Sequence, residues 1–230
     1  MIISMNFIKS LSIMVLLIFI VNAGNISASE DEVAELVQKG DKYYAKFDNT
    51  DALTEYKQAY DQEPDDWEAL MKLTRAYNDI GEEYKDKSSQ KAVDYFEKGF
   101  ELAELMKEKY PQSPESYFYM AVTRGNLAMF KGGKDKVKLG RDVEQYAKKA
   151  IELDPNYGPA YIALGVYYRE VANLNWFLKK FARAFFGGLP EGTNEDSLKM
   201  LYNAKELLPN IVYIEYELGR TYRAMGEKEK

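Results

Sequence analysis

Large apolar residues recur along this chain at intervals of three and four, with charged residues between them. That is the spacing of one face of a helix, and it predicts an all-α chain. Proline and glycine cut the pattern into segments. Leu36, Gly40 and Tyr43 mark one segment; Ala52, Tyr56 and Ala59 mark the next, which Pro64 ends. Another begins at Trp67 and carries Leu70, Leu73 and Tyr77. After a link from Gly81 to Ser89, Ala92, Phe96 and Gly99 open a segment that runs through Leu102, Ala103 and Met106 to Pro111. Ser113 is placed to cap the following helix, with Pro114 in its first turn. A loop holding Gly132 and Gly133 is expected after Phe130. Beyond it the pattern predicts helices around Ala147 and Ala150, around Leu164 and Gly165, around Leu201 and Ala204, and around Leu218 and Gly219.

Paired in order, these segments resemble the tetratricopeptide repeat (TPR), a 34-residue pair of antiparallel helices. With Val33 as position 1, Leu36, Gly40, Tyr43, Ala52, Tyr56, Ala59 and Pro64 take positions 4, 8, 11, 20, 24, 27 and 32. Tyr161, Leu164, Gly165 and Tyr168 take positions 4, 7, 8 and 11 of a later repeat. Small residues in this pattern mark where helices touch, and large ones fill the space between. The resemblance implies a right-handed α-α superhelix, a TPR-like solenoid of about four helix pairs with a final capping helix. Each pair buries its face only against neighbours, so residues 29–230 are expected to form one domain.

Between Tyr168 and Ser197 the spacing far exceeds that of the repeat. The extra stretch, NLNWFLKKFARAFFGGLPEGTNEDS, predicts an inserted helix in the fourth repeat. Phe177, Phe181 and Phe185 fall four apart, with Leu178, Ala182 and Phe186 beside them, and Lys179, Lys180 and Arg183 form the other side. Such a helix either prolongs its neighbour and packs on its own repeat, or offers a membrane-surface or partner-binding face. In the second case Trp176, Phe177, Lys180 and Phe181 would make the contact. Leu174, Trp176, Lys179, Lys180, Pro190, Leu198, Ala204 and Pro209 resemble the regulator of microtubule dynamics family, with Asn175 where that family often has Ser. This resemblance spans about Pro114 to Gly226 and implies the helical-repeat fold with its insertion.

The first residues change the setting. Lys9 is the only charge before Glu30, and the apolar run from Leu11 to Val21 is followed by small residues through Ala28. That order is the order of a secretory signal, so residues 1–28 are expected to be a cleaved signal peptide or an uncleaved N-terminal anchor. The run is short for a membrane span, which takes about 20 residues. The protein is accordingly expected to be exported and periplasmic, a bacterial-type relative of the family.

Composition then removes chemistries. There are no cysteines and no histidines, which excludes disulfides, thiol catalysis, Cys/His zinc sites and every His-based triad. No catalytic residue, metal ligand or cofactor is nominated, and an enzyme is not expected. A net charge of -6 argues against nucleic acid as a partner. The 19 tyrosines read first as fillers between helices, with Tyr43, Tyr77, Tyr168 and Tyr222 at the packing position.

What remains is binding. The first helix of each repeat lines the concave groove of such a solenoid. Its groove positions bring forward Tyr44, Arg75, Asn78, Arg124, Asn126, Arg169, Arg220 and Arg223, with Phe118, Val122, Ile162 and Val166 on the same face. An arginine fork grips a carboxylate at two points, so this set predicts a protein or peptide partner, with an acidic segment or a free C-terminus as the favoured form. The plainer alternative is that these arginines pair with neighbouring acids. Two function classes stay open: a non-catalytic scaffold of the cell envelope, and a small-ligand-binding or transporter-associated periplasmic repeat protein. Membrane contact is expected only through an uncleaved anchor or at the periphery.

Overall fold

Local signals start and stop the helices. In the computed structural model, which describes residues 31–86, 89–131, 133–188 and 191–226, every regular element is a helix. Helix α1 covers 31–44 and α2 Asn49–Gln62. Then come α3 (Trp67–Tyr84), α4 (Ser89–Lys109), α5 (Pro114–Phe130) and α6 (Gly133–Gly140). They are followed by α7 (Val143–Leu153), α8 (Gly158–Ala172), α9 (Trp176–Phe186), α10 (Asn194–Leu207) and α11 (Val212–Ala224). Ser113 caps α5 by accepting from the Ser116 amide, with Pro114 at the first position. Thr193 and Asp196 bond each other's backbone amides at 3.0 Å, a capping box that starts α10. Residues 1–28, read as a leading segment, lie outside the described residues.

The molecule divides into two units within α3, at Leu73 and Thr74. In the first, Val33 and Val37 of α1 pack with Ala59 of α2 and Ala69 of α3. A Cβ added to Gly40 would stand 2.5 Å from the Tyr56 ring, so only glycine admits that ring. The Tyr56 hydroxyl donates to Asp41 at 2.7 Å, and Asp41 also pairs with the buried Lys72.

The second unit repeats the device. A Cβ on Gly81 would meet the Phe96 ring at 2.5 Å, and one on Gly165 would meet Leu201 at 2.8 Å. Helix α5 pairs with α7, and α8 with α10; α11 follows as a last helix. Ala121, Val143, Ala147, Leu164, Tyr167 and Tyr168 form one core cluster. Leu201, Ala204, Ile214 and Leu218 form another. This is the TPR-like helical-repeat fold: Gly40 and Gly165 make close contacts as expected small positions, whereas Gly81, expected to open a link, lies within α3 and packs under Phe96.

Two departures follow from tertiary packing. The loop expected after Phe130 is a helix, α6, from Gly133. Its sequence, GKDKVKLG, has one well-buried residue, Val137, and packing of that residue against Leu178 and Ala182 of α9 holds it. The inserted helix α9 is also separate from α8. Asn175 starts it by accepting from the Leu178 amide at 3.0 Å, and Gly187 ends it with a φ of 73°. The two insertions thus pack on each other.

The small-residue rule gives a paired expectation. Gly165→Val drives a side chain into Leu201 and the Ser197 carbonyl, and should destabilise the fold by about 1–3 kcal/mol. A methyl group at Gly219 would meet nothing within 4 Å, so Gly219→Ala should be neutral or stabilise by up to about 1 kcal/mol. Thermal unfolding of both variants checks the contrast, which fails if they shift the midpoint alike.

Candidate functional site

The first helices of successive repeats in the second unit stand side by side, and their facing positions enclose a cavity of about 420 Å³. That volume lies in the range of small-molecule pockets, about 300–1,000 Å³. Helix α5 contributes Phe118, Val122, Asn126 and Met129, one helical face at intervals of three and four. Helix α8 contributes Ile162, Val166, Tyr167 and Glu170 from its facing side. Val137 and Lys136 of α6 and Leu174 close one side, and Tyr213 of α11 stands on another. The insertion after α5 therefore completes a wall that the repeats alone leave open.

Most of this lining is apolar, so what the polar atoms do matters more. Asn126 donates to Asn78 at 2.8 Å, joining α5 to α3 at one end of the cavity. Tyr167 is 6% exposed, and its hydroxyl has no hydrogen-bond partner among the described residues. Burial pushes its pKa upward, so the phenol keeps its proton and stands as a donor. A buried donor without an acceptor costs about 1–3 kcal/mol. The charged lining is Asp79, Glu82 and Glu170 against Lys136, which lies 3.9 Å from Glu170.

The arginines occupy other surroundings. Arg169 is buried and pairs with Glu217 of α11, which is fully buried, and with Glu170 at 3.5 Å. Arg220 reaches Glu217 at 3.3 Å and Glu170 at 3.8 Å. Two arginines and two glutamates thus form one network that ties α8 to α11. Arg124 faces Asp142 at 3.3 Å and lies over the Phe100 ring. Arg75 is half-buried on α3, Arg223 is exposed near the end of α11, and Tyr44 is half-buried at the end of α1 in the first unit. Of the residues expected in the groove, Asn78 and Asn126 line the cavity, whereas the arginines do not.

Helix α9 buries Leu178 and Ala182 and leaves Trp176, Phe177 and Phe185 largely exposed. Lys180 lies 5.1 Å from the Trp176 ring, and Phe181 is half-buried against Phe185 and Phe186. Glu217 and Tyr167 are missing from the sequence expectation. Glu217 shares its helix with the exposed Glu215, and only the approach of Arg169 distinguishes the two. Tyr167 adjoins the packing tyrosine Tyr168, and only the cavity reveals its role.

A family model described as "Regulator of microtubule dynamics protein 1-3" matches residues 36–230. The chain belongs to the regulator of microtubule dynamics family. The match reaches from the first repeat, well beyond the stretch from Pro114 that carried the resemblance. Among relatives, regulator of microtubule dynamics protein 3 of Rattus norvegicus is 30% identical over 214 residues, covering 89% of this chain and 44% of that protein. Regulator of microtubule dynamics protein 1 of Mus musculus is 26% identical over 199 residues, covering 86% of this chain and 64% of its own. The chain therefore spans less than two thirds of the length of these relatives. In structure, a thermophilic TPR protein of Thermus thermophilus superposes with a TM-score of 0.63 at 19% identity, covering 85% of this chain and 84% of its own, a likeness of fold.

Family membership overturns the expected location. The relatives are rat and mouse proteins named for microtubules, a eukaryotic polymer, and eukaryotic cells have no periplasm. The exported, periplasmic reading, built on residues 1–28 alone, is dropped. Within the described residues no helix is long and apolar enough to cross a membrane.

The arginine network carries its own expectation. Glu217→Ala leaves Arg169 buried without its main partner and should cost about 3–5 kcal/mol. The double variant Arg169→Met, Glu217→Leu should cost less than Glu217→Ala alone. Chemical denaturation of the three proteins measures this, and a double variant worse than the single one would show that the pair is not the source of the loss.

Proposed function

We propose that this chain is a binding scaffold whose groove, on the α5 and α8 face, takes an apolar segment of a partner protein. Helical-repeat proteins serve in general as interaction scaffolds, through the concave surface that stacked repeats create. The observation that carries the reading is the apolar cavity between those helices, closed on one side by the two insertions. Its charged lining holds three carboxylates and one lysine, so the segment that fits is apolar with neutral or basic flanks. The acidic segment or C-terminus expected from the arginines would meet like charge there. An arginine already held by Glu217 or Asp142 has fewer donors to offer a carboxylate.

A second reading rests on the size and lining of the cavity: about 420 Å³ walled mostly by apolar side chains suits a small apolar molecule. The relatives' name points to microtubules, and a part in microtubule dynamics for this chain follows from family membership alone.

Val166→Trp places a large ring in the cavity and changes no residue of the arginine network. With a photo-crosslinking residue at Val122, the unmodified groove should capture a protein from a eukaryotic extract, and Val166→Trp should lower that capture at least tenfold. Capture unchanged by the tryptophan would place binding outside the groove. A thermal-shift screen with small apolar molecules separates the two readings: a raised unfolding midpoint that Val166→Trp abolishes favours the small ligand.

A further inference from the structure

The helix α9 and its support α6 differ in charge from the rest of the molecule. Lys134 and Lys138 of α6, with Arg141 just after it, are exposed. Lys179, Lys180 and Arg183 of α9 are exposed as well, and α9 contains no acid. Asp135 is the one acid on α6. A protein of net charge -6 therefore gathers six exposed cations, five on two short, adjoining helices and one just after α6.

Beside those cations lie unburied rings. Trp176 is 72% exposed, Phe177 62% and Phe185 67%. They are excluded from the packed face of α9, which Leu178 and Ala182 occupy against Val137. Cations stand over the rings themselves: Lys180 over Trp176, Lys134 over both Phe181 and Phe185, and Arg141 over Phe186. Rings and charges thus form one surface rather than two.

We propose that this surface docks on an anionic lipid bilayer, with Trp176, Phe177 and Phe185 entering the headgroup region and the cations meeting anionic headgroups. Charge complementarity selects the occupant. A second copy presenting the same face would bring six like charges together. An acidic polypeptide would satisfy the cations and leave three large rings in water. Only an anionic interface with an apolar interior satisfies both, and amphipathic helices of this composition lie in that interface. The contact is peripheral: α9 has 11 residues, far fewer than a span requires. The surface is distinct from the groove. Lys136 and Val137 of α6 line the cavity, whereas Lys134 and Lys138 of the same helix are exposed and belong to the cationic face.

The test reads α9 by itself, because other apolar parts of the protein are free to bind vesicles. In the full chain, Trp67→Phe leaves Trp176 as the only tryptophan. Vesicles of brominated phosphatidylcholine with about a third phosphatidylserine should quench Trp176 emission at low salt. Vesicles without phosphatidylserine should not. Lys134→Glu, Lys180→Glu and Arg183→Glu together should raise the lipid concentration for half-quenching at least tenfold, with the helical circular dichroism signal unchanged. Vesicles that bind the protein while Trp176 stays unquenched would overturn the proposal. So would a Trp176 response to soluble polyglutamate equal to that with vesicles, which would make the surface a reader of acidic polypeptide. Val166→Trp with Trp176→Phe, probed for groove capture, fails or succeeds without reference to either result.

Discussion

One contact geometry underlies the fold: a helix surface stripped to a glycine so that a large side chain of the next helix can lie against its backbone. Gly40 under Tyr56, Gly81 under Phe96 and Gly165 under Leu201 are three instances, each with room for a hydrogen and not for a methyl group. Close approach lets the two helices of a pair share one apolar seam, and the seam is most of what each pair has. A single pair cannot bury both its faces, so each depends on the next. The groove is a by-product of that stacking: first helices line up, and whatever residues occupy their free face become a binding surface.

Charge inside the second unit serves that alignment. Arg169 and Glu217 are removed from water together, and each would be costly alone. Glu170 extends the pair to the cavity, so one residue of the network that holds α8 to α11 is also one of the three carboxylates in the groove. Of the arginines that looked like a row of anion receptors in the sequence, Arg124, Arg169 and Arg220 are each paired with an acid in three dimensions. The consequence is a groove that selects by shape and apolar fit, with three carboxylates and one lysine in its lining.

The two insertions make this repeat array specific. Helix α6 by itself is a poor helix, eight residues with glycine at both ends and lysines between. It persists because Val137 has Leu178 and Ala182 to pack against. Helix α9 in turn buries Leu178 on α6. Each insertion is the other's reason for folding; α6 walls the cavity on one side, and α9 carries the exposed rings.

The sequence by itself determined the repeat helices, their pairing and small positions such as Gly40 and Gly165, because those rest on local caps and on a period repeated along the chain. Ser113 and Gly165 announce their roles to any reader of that period. It also placed Phe118, Val122, Ile162 and Val166 on one face, since a face is a matter of spacing. The setting was misread, because a short apolar leader looks alike in many proteins, and only the match over 36–230 to eukaryotic relatives corrected it. The tertiary structure alone decided which arginines are spent on buried acids, that Tyr167 ends in a cavity, and that α6 exists. Those outcomes depend on side chains distant in sequence coming within a few ångströms, and no local period records such meetings.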